Sequence, residues 1–383
     1  MEFSEQIKTQ GLDCAKGIAD WMIEIQNPHR DDNPASGSFP WIIHPDGSES
    51  QANNWNIAFA CMGMLAAYKS FKKEEYQQAA IHMGHYLKSL QIFDPFNKNM
   101  YGSFREMSPQ CPWNYTRDTL SVAWAFIELY RHTNDEEYLE RARLWGEWFI
   151  KHGLDREGWP LWGFQYEPWF SNREPKMRND VQGSFQGGSL NFLYHLAHET
   201  KDNKWTSDVF EKMANHFITY LQKDDGYFHT IIRDSKEVPD DPQGGLHRAN
   251  DDLGSLGLLC AYKITKNNDY LESVNKFIQG VFNHQQKDGS FEESVACIPV
   301  VLNTIYEGKS LINTSAYSNE SIEQALLVLL HSQSDGKDNI RMKGGIIEEQ
   351  HKQYVCARSS CYALIVLLKL FSSSSEYLSI NTP

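Results

Sequence analysis

The chain has 383 residues, 41% of them hydrophobic and 22% charged, which is the composition of a globular protein with a sizeable core. A formal net charge of -14 excludes a nucleic-acid partner, because no basic stripe exists to displace phosphate counterions. No apolar run approaches the roughly eighteen residues needed to span a bilayer, so no membrane segment is expected.

The N-terminus, MEFSEQIKTQGLDCAKGIADWM, enters an amphipathic helix directly and lacks the basic-then-apolar layout of a signal peptide. That favours a cytoplasmic location, with a processed periplasmic chain as the alternative. The 7 Cys are scattered singly and odd in number, which suits reduced thiols rather than a disulfide framework. No CxxC pair or HExxH run occurs, so neither a metal nor a cofactor is expected. Aromatic residues are plentiful, with 11 Trp and 18 Tyr, more than core filling alone requires; rings lining a sugar cleft would use some of them.

Two kinds of helix alternate along the chain. Amphipathic helices are expected near 4–26, 73–91, 135–152, 205–222, 268–285 and 318–333. More apolar helices rich in small residues are expected near 53–69, 117–132, 183–199, 249–264, 294–307 and 356–371. Gly-aromatic turns recur before the second kind: GSFPW at 37–41, YGSF at 101–104, EGWPLW at 157–162, DDGYF at 224–228 and DGSFEE at 288–293. The unit of about 60–70 residues exceeds the common solenoid periods. A helix apolar on nearly every side must be buried, and an amphipathic one can face water. Six such pairs in two layers predict an all-α (α/α)6 barrel, a single domain over 1–375, with 376–383 (within SSSSEYLSINTP) as a frayed tail.

In that arrangement the apolar helices start on one face. Their openings read QANNWNIAF, WNYTRDTLS, RNDVQGSFQGGS, HRANDDLGSLG, FEESVACIP and CARSSCYAL. They carry Asp118, Asp180, Asp251, Asp252, Glu292 and Glu293, with Arg117, Arg178, His247, Arg248 and Arg358 among them. Any one Asp suits helix capping, since its carboxylate meets unpaired N–H groups at the positive end of the dipole. Capping does not call for an adjacent Arg on several helices, however. Paired carboxylates with flanking cations suit acid–base work on an anionic substrate. Glycosidic cleavage fits: one carboxylic acid protonates the leaving oxygen, and a second carboxylate attacks carbon or activates water. Bidentate Arg groups would hold a sugar carboxylate, and Trp55, Trp113, Tyr115, Trp162 and Trp169 would stack on pyranose rings, with Gln186 a further polar contact. The aromatic loop at 157–180 is a candidate lid or subsite wall.

The segment RDTLSVAWAFIELYRHTND, followed about 60 residues later by NDVQGSFQGGSLNFLYHL, resembles the six-hairpin glycosidases. These include the unsaturated glucuronyl hydrolases and related bacterial β-glucuronidases. In the former, two Asp residues on successive inner helices serve catalysis, one of them as proton donor. The resemblance carries those roles to Asp118 and Asp180, in either order, with Asp252 of the Asp251–Asp252 pair as a rival acid. It implies a hydrolase acting on a saccharide that carries a carboxylate; the oligomeric state is not legible.

Three rival readings stand beside this one. A polysaccharide lyase on the same fold would cast Tyr115, His247 and Arg248 as base and carboxylate partners, and a sugar epimerase would lean on His247. HQQKDGSFEE at 284–293 and NDDL at 250–253 are similar to fragments of isoprenoid cyclase motifs on another α/α toroid.

Overall fold

A computed structural model describes residues 3–30, 32–165, 176–233, 236–237, 253–292, 294–372 and 376–382. Among them are twelve α-helices: α1 (Glu5–Ile25), α2 (Asn54–Phe71), α3 (Glu74–Ser89), α4 (Thr116–Thr133), α5 (Glu136–His152), α6 (Ser189–Thr200), α7 (Asp208–His216), α8 (Gly254–Thr265), α9 (Asn268–Asn283), α10 (Cys297–Glu307), α11 (Asn319–His331) and α12 (Ala357–Ser372). The chain is all-α with the (α/α)6 complement of helices, and the expected alternation is present. Within α4 every residue from Asp118 to Leu129 is buried, and within α12 every residue from Ala357 to Lys369. By contrast α5 buries one stripe made of Tyr138, Ala142, Trp145, Gly146, Trp148 and Phe149.

Two of the apolar helices begin later than their sequence pattern suggests. Ahead of α6 the chain forms a short 3-10 turn, Ser184–Gln186, and α8 starts at Gly254. Glycine is the reason. A Cβ at Gly187 would lie 2.6 Å from the Cα of Gly254, so the chain around Gly187 approaches α8 too closely for side chains on either.

The chain divides into two compact units, one comprising 1–52, 59–86 and 275–379, the other 53–58, 87–274 and 380–383. In the first, α12 packs on α1 and α10, and α10 on α11. It also holds a three-stranded antiparallel sheet in which β1 (Pro40–Ile43) lies between β2 (Glu49–Gln51) and a C-terminal strand at Val355–Cys356. In the second, α4 packs on α5 and α6, and α6 on α8. Here β3 (Trp113–Tyr115), β4 (Gly163–Gln165) and β5 (Lys176–Arg178) form an antiparallel sheet, with Tyr115 opposite Gly163 and Gly163 opposite Arg178. The strand β6 (Val181–Gln182) pairs separately with Ile232–Arg233.

The internal repeat has a concrete cause. Gly37, Gly102, Gly158, Gly226, Gly289 and Gly344 all sit at positive φ, between 85° and 96°. In five of these turns a glutamine amide bridges two carbonyls. Gln26, Gln91, Gln222, Gln285 and Gln333 donate to the oxygens of Gly37, Gly102, Gly226, Gly289 and Gly344. Each also donates to a backbone oxygen of another helix: Ala79, Arg141, Ser273, Ser321 and Cys14. The Gln-x-x-x-Gly pattern of HQQKDGSFEE is therefore a structural staple in this chain. The end of the chain is held as well: Tyr377 and Leu378 are buried, where the polar tail sequence reads as fraying.

Candidate active site

The turn at Gly102 delivers Glu106 to the start of α4. The Glu106 N–H donates to the Trp113 carbonyl, and its own carbonyl accepts from the Asn54 N–H. Side-chain amides hold the same segment, Asn54 Nδ2 on the Arg105 carbonyl and Asn114 Nδ2 on that of Phe104. The Glu106 carboxyl is thereby fixed and buried, 2% exposed, with Oε2 accepting the Tyr115 N–H at 2.9 Å.

Asp118 lies in the first turn of α4 and is 1% exposed. It does not cap the helix: Tyr115 is the cap residue and makes no side-chain capping bond. Instead Asp118 Oδ1 accepts from Arg117 Nε at 2.8 Å, Oδ2 accepts from Asn53 Nδ2 at 3.4 Å, and the carboxyl meets that of Glu106. Burial, then the charge and hydrogen bond of Asp118, push Glu106 well above the usual carboxylate range; the Tyr115 N–H and Arg117 act the other way. The two carboxyls thus lie against each other in a dry setting, and that contact is part of what raises Glu106.

The Arg117 guanidinium is wedged among rings, 4.4 Å from the Phe185 centroid, 5.8 Å from Trp162 and 6.0 Å from Tyr115. Trp162 packs edge-on to Tyr115 at 5.9 Å and tilted on Phe185 at 5.4 Å. These contacts hold Arg117 against Asp118 by cation–π attraction as well as by the ion pair.

A second charged cluster occupies the other unit. Glu348, four residues beyond Gly344, accepts from Arg358 through Nε at 3.1 Å and again through Nη2, and from Ser359 Oγ at 2.5 Å. Burial alone would raise the Glu348 carboxyl, but Arg358 and the hydroxyl outweigh it and leave it lowered. The guanidinium of Arg358 is committed to this buried pair.

The other residues singled out from the sequence are scattered. Asp180 lies between β5 and β6, 55% exposed, with Oδ1 3.6 Å from Arg178 Nε. Trp113 is 40% exposed on β3, and Trp55 is buried in the first turn of α2. Gln186 is buried, its amide donating to the carbonyls of Pro160 and Leu161. Trp169, His247, Arg248, Asp251, Asp252 and Glu293 lie outside the described residues. Sequence reasoning passed over Glu106 and Glu348. The available signal was register: both stand four residues after a turn glycine with an apolar residue at the second position, in GSFRE and GGIIE.

No protein-family model matches the chain, and no curated protein matches it in sequence. Solved structures do match over nearly its whole length. A cellobiose 2-epimerase from Bacillus thermoamylovorans superposes with a TM-score of 0.70 at 15% identity, covering 96% of this chain and 100% of that one. An unsaturated glucuronyl hydrolase from a Bacillus species, described as responsible for the degradation of glycosaminoglycan, gives 0.68 at 14% identity, covering 98% and 100%. A family 76 mannosidase from Bacteroides thetaiotaomicron gives 0.67 at 13% identity, covering 94% and 98%. The chain has the fold of these enzymes. It is an (α/α)6 barrel, and its structural neighbours include glycoside hydrolases and an epimerase. No helix among the described residues is long and apolar enough to cross a membrane.

Proposed function

We propose that the chain is a glycoside hydrolase that releases a uronic-acid-type residue from an oligosaccharide, with Asp118 as the acid and Glu106 as its proton-sharing partner. The observation that carries this reading is the buried Glu106–Asp118 pair at the mouth of α4, beside Arg117. A buried carboxyl raised in the way of Glu106 keeps a proton at a pH where a solvated carboxyl has lost it. Asp118 would give that proton to the glycosidic oxygen as the bond from it to the anomeric carbon breaks. A water molecule would then add to that carbon and lose its proton to a second carboxylate. Glu106 abuts Asp118 too closely to stand across a sugar from it, since the two working carboxyls need about 5 Å or more between them. Asp180 is the candidate for the second role, and Arg178 beside it is the cation for a sugar carboxylate. Structural likeness to glucuronyl hydrolases supports the substrate class, and so does the pairing of acids with arginines.

Hydrolysis is favoured over elimination by a lyase. Burial, then Glu106 and Asp118, raise the Tyr115 hydroxyl above its ordinary value, which makes it a poor base near neutral pH. The test is turnover of p-nitrophenyl β-glucuronide and of lyase-generated unsaturated disaccharides. An unsaturated-uronyl hydrolase bleaches the ultraviolet absorbance of the latter, and a lyase given intact polymer creates it. The Asp118→Asn variant should lose about a hundredfold or more in kcat with its circular dichroism unchanged. Near wild-type turnover in that variant would move the acid elsewhere.

A further inference from the structure

The register of the β3–β4–β5 sheet sorts its side chains onto two faces. Asn114, Phe164 and Met177 alternate onto one; Asn114 and Phe164 are buried there, Phe164 5.3 Å from Trp148. The opposite face carries Trp113, Gln165 and Lys176 in one cross-strand row and Tyr115, Gly163 and Arg178 in the next. Trp113 is 40% exposed, Gln165 and Lys176 are exposed, and Arg178 is 41% exposed. Thus two rings stand along one edge of the face and two cations along the other, with the bare backbone of Gly163 between Tyr115 and Arg178.

That arrangement has the dimensions of a saccharide subsite. Three strands span about 10 Å and alternate residues on a strand are about 7 Å apart, the footprint of one or two sugar rings. Rings offer flat apolar faces, while Lys176 and Arg178, alternate residues of β5, offer two positive charges on the same face. The net charge of -14 would repel an anionic chain from most of the surface. At physiological salt, though, screening leaves only charges within about 8 Å to matter. Asp180 is the carboxylate seen beside Arg178, and Lys176 is paired with no acid among the described residues. The face adjoins the acid pair: Tyr115 precedes the first turn of α4, and Arg117, which pairs with Asp118, lies 6.0 Å from the Tyr115 ring.

We infer that this face is an extended subsite for an acidic saccharide unit, bearing carboxylate or sulfate, adjacent to the unit cleaved. The inference deepens the hydrolase reading and rests on it for the bond that is broken, but binding can be measured apart from turnover. Calorimetric titration of the full chain would use three probes: a heparin-derived tetrasaccharide, a galacturonate tetramer and neutral cellotetraose. Both acidic probes should bind more tightly than cellotetraose; the galacturonate tetramer reads carboxylate recognition alone, and any gain with the heparin fragment reads what sulfate adds. Trp113→Ala and Lys176→Gln, both at exposed positions, should each weaken acidic-probe binding about fivefold or more. Lys176→Gln should leave cellotetraose unaffected. Equal affinity in the Trp113→Ala/Lys176→Gln double variant, or no binding of either acidic probe, would overturn the subsite. The Asp118→Asn variant separates the two claims: it should keep acidic-probe affinity while losing turnover. Should it keep turnover while the face variants lose affinity, the acid assignment fails and the subsite stands.

Discussion

The carboxyl of Glu106 abuts that of Asp118 while its Oε2 accepts the Tyr115 N–H, so two acids share one buried place at the start of α4. Replacement by Glu106→Gln keeps the shape and removes the ionisable partner of Asp118. The kcat should fall about ten- to a hundredfold, and the alkaline limb of the kcat/KM profile should move to lower pH. Stability supplies an independent readout. A carboxyl whose folded pKa is raised contributes stability below its ordinary value of 4.5 and loses it as pH rises through the folded value. Urea midpoints of wild type should therefore decline over that window, and Glu106→Gln should flatten the decline. An unchanged slope would mean that Glu106 is charged in the folded protein.

Glu348 predicts the opposite slope. Its folded pKa is lowered, so its contribution is present above the ordinary 4.5 and is lost as pH falls through the folded value. Glu348→Gln should cost about 3–5 kcal/mol near neutral pH, because it leaves the buried Arg358 guanidinium without its anion. The deficit should shrink in acid. Thermal melts across pH measure both effects, and a deficit independent of pH would point to packing instead of charge.

The contrast between these two glutamates explains what the sequence did and did not make legible. Helix alternation is written in apolar periodicity, which acts over one turn and survives in a single chain, so all twelve helices lie close to their expected places. Asp118 stood out because an acid beside an Arg at a helix mouth is costly to bury without a purpose. Glu106 and Glu348 did not, because their neighbours in sequence are ordinary and their burial depends on the Asn54 and Tyr115 N–H groups donating to Glu106 and on the Glu348 N–H donating to the Tyr354 carbonyl. The short strands beside the site were illegible for a related reason. Two or three residues carry no periodic signal, and pairing between residues as distant as Tyr115 and Gly163 leaves no local mark.

The aim of Glu106 depends on Gly102. At φ +92° an L side chain is strained, and a Cβ there would lie 2.7 Å from the Leu144 carbonyl oxygen. Gly102→Ala should destabilise the fold by about 2 kcal/mol or more, combining left-handed strain with a backbone clash. It should also lower kcat among the molecules that remain folded, since the turn sets where the carboxyl arrives. Denaturation and active-fraction kinetics together test this; wild-type stability would show that the turn relaxes.

Lys369 governs the end of the chain. Only 2% exposed, it donates to Asn303 Oδ1 at 2.8 Å, Glu307 Oε1 at 2.6 Å and the Leu378 carbonyl at 2.9 Å, while Ser379 Oγ donates to Glu307 Oε2 at 2.7 Å. The tail is thus fastened to α10 and α12 around one buried ion pair, and Asn303 Nδ2 also donates to the Leu378 carbonyl at 3.0 Å. Lys369→Met leaves Glu307 charged and dry, which should cost about 3–5 kcal/mol and release residues after Ser372 to carboxypeptidase. Pairing it with Glu307→Leu removes the stranded charge and should recover most of the stability. Protease resistance should return only in part, because the Leu378 carbonyl keeps Asn303 Nδ2 as a donor but loses Lys369, and Ser379 loses its acceptor Glu307. If digestion of the double variant is as slow as that of wild type, apolar packing of Tyr377 and Leu378 holds the tail and the ion pair does not.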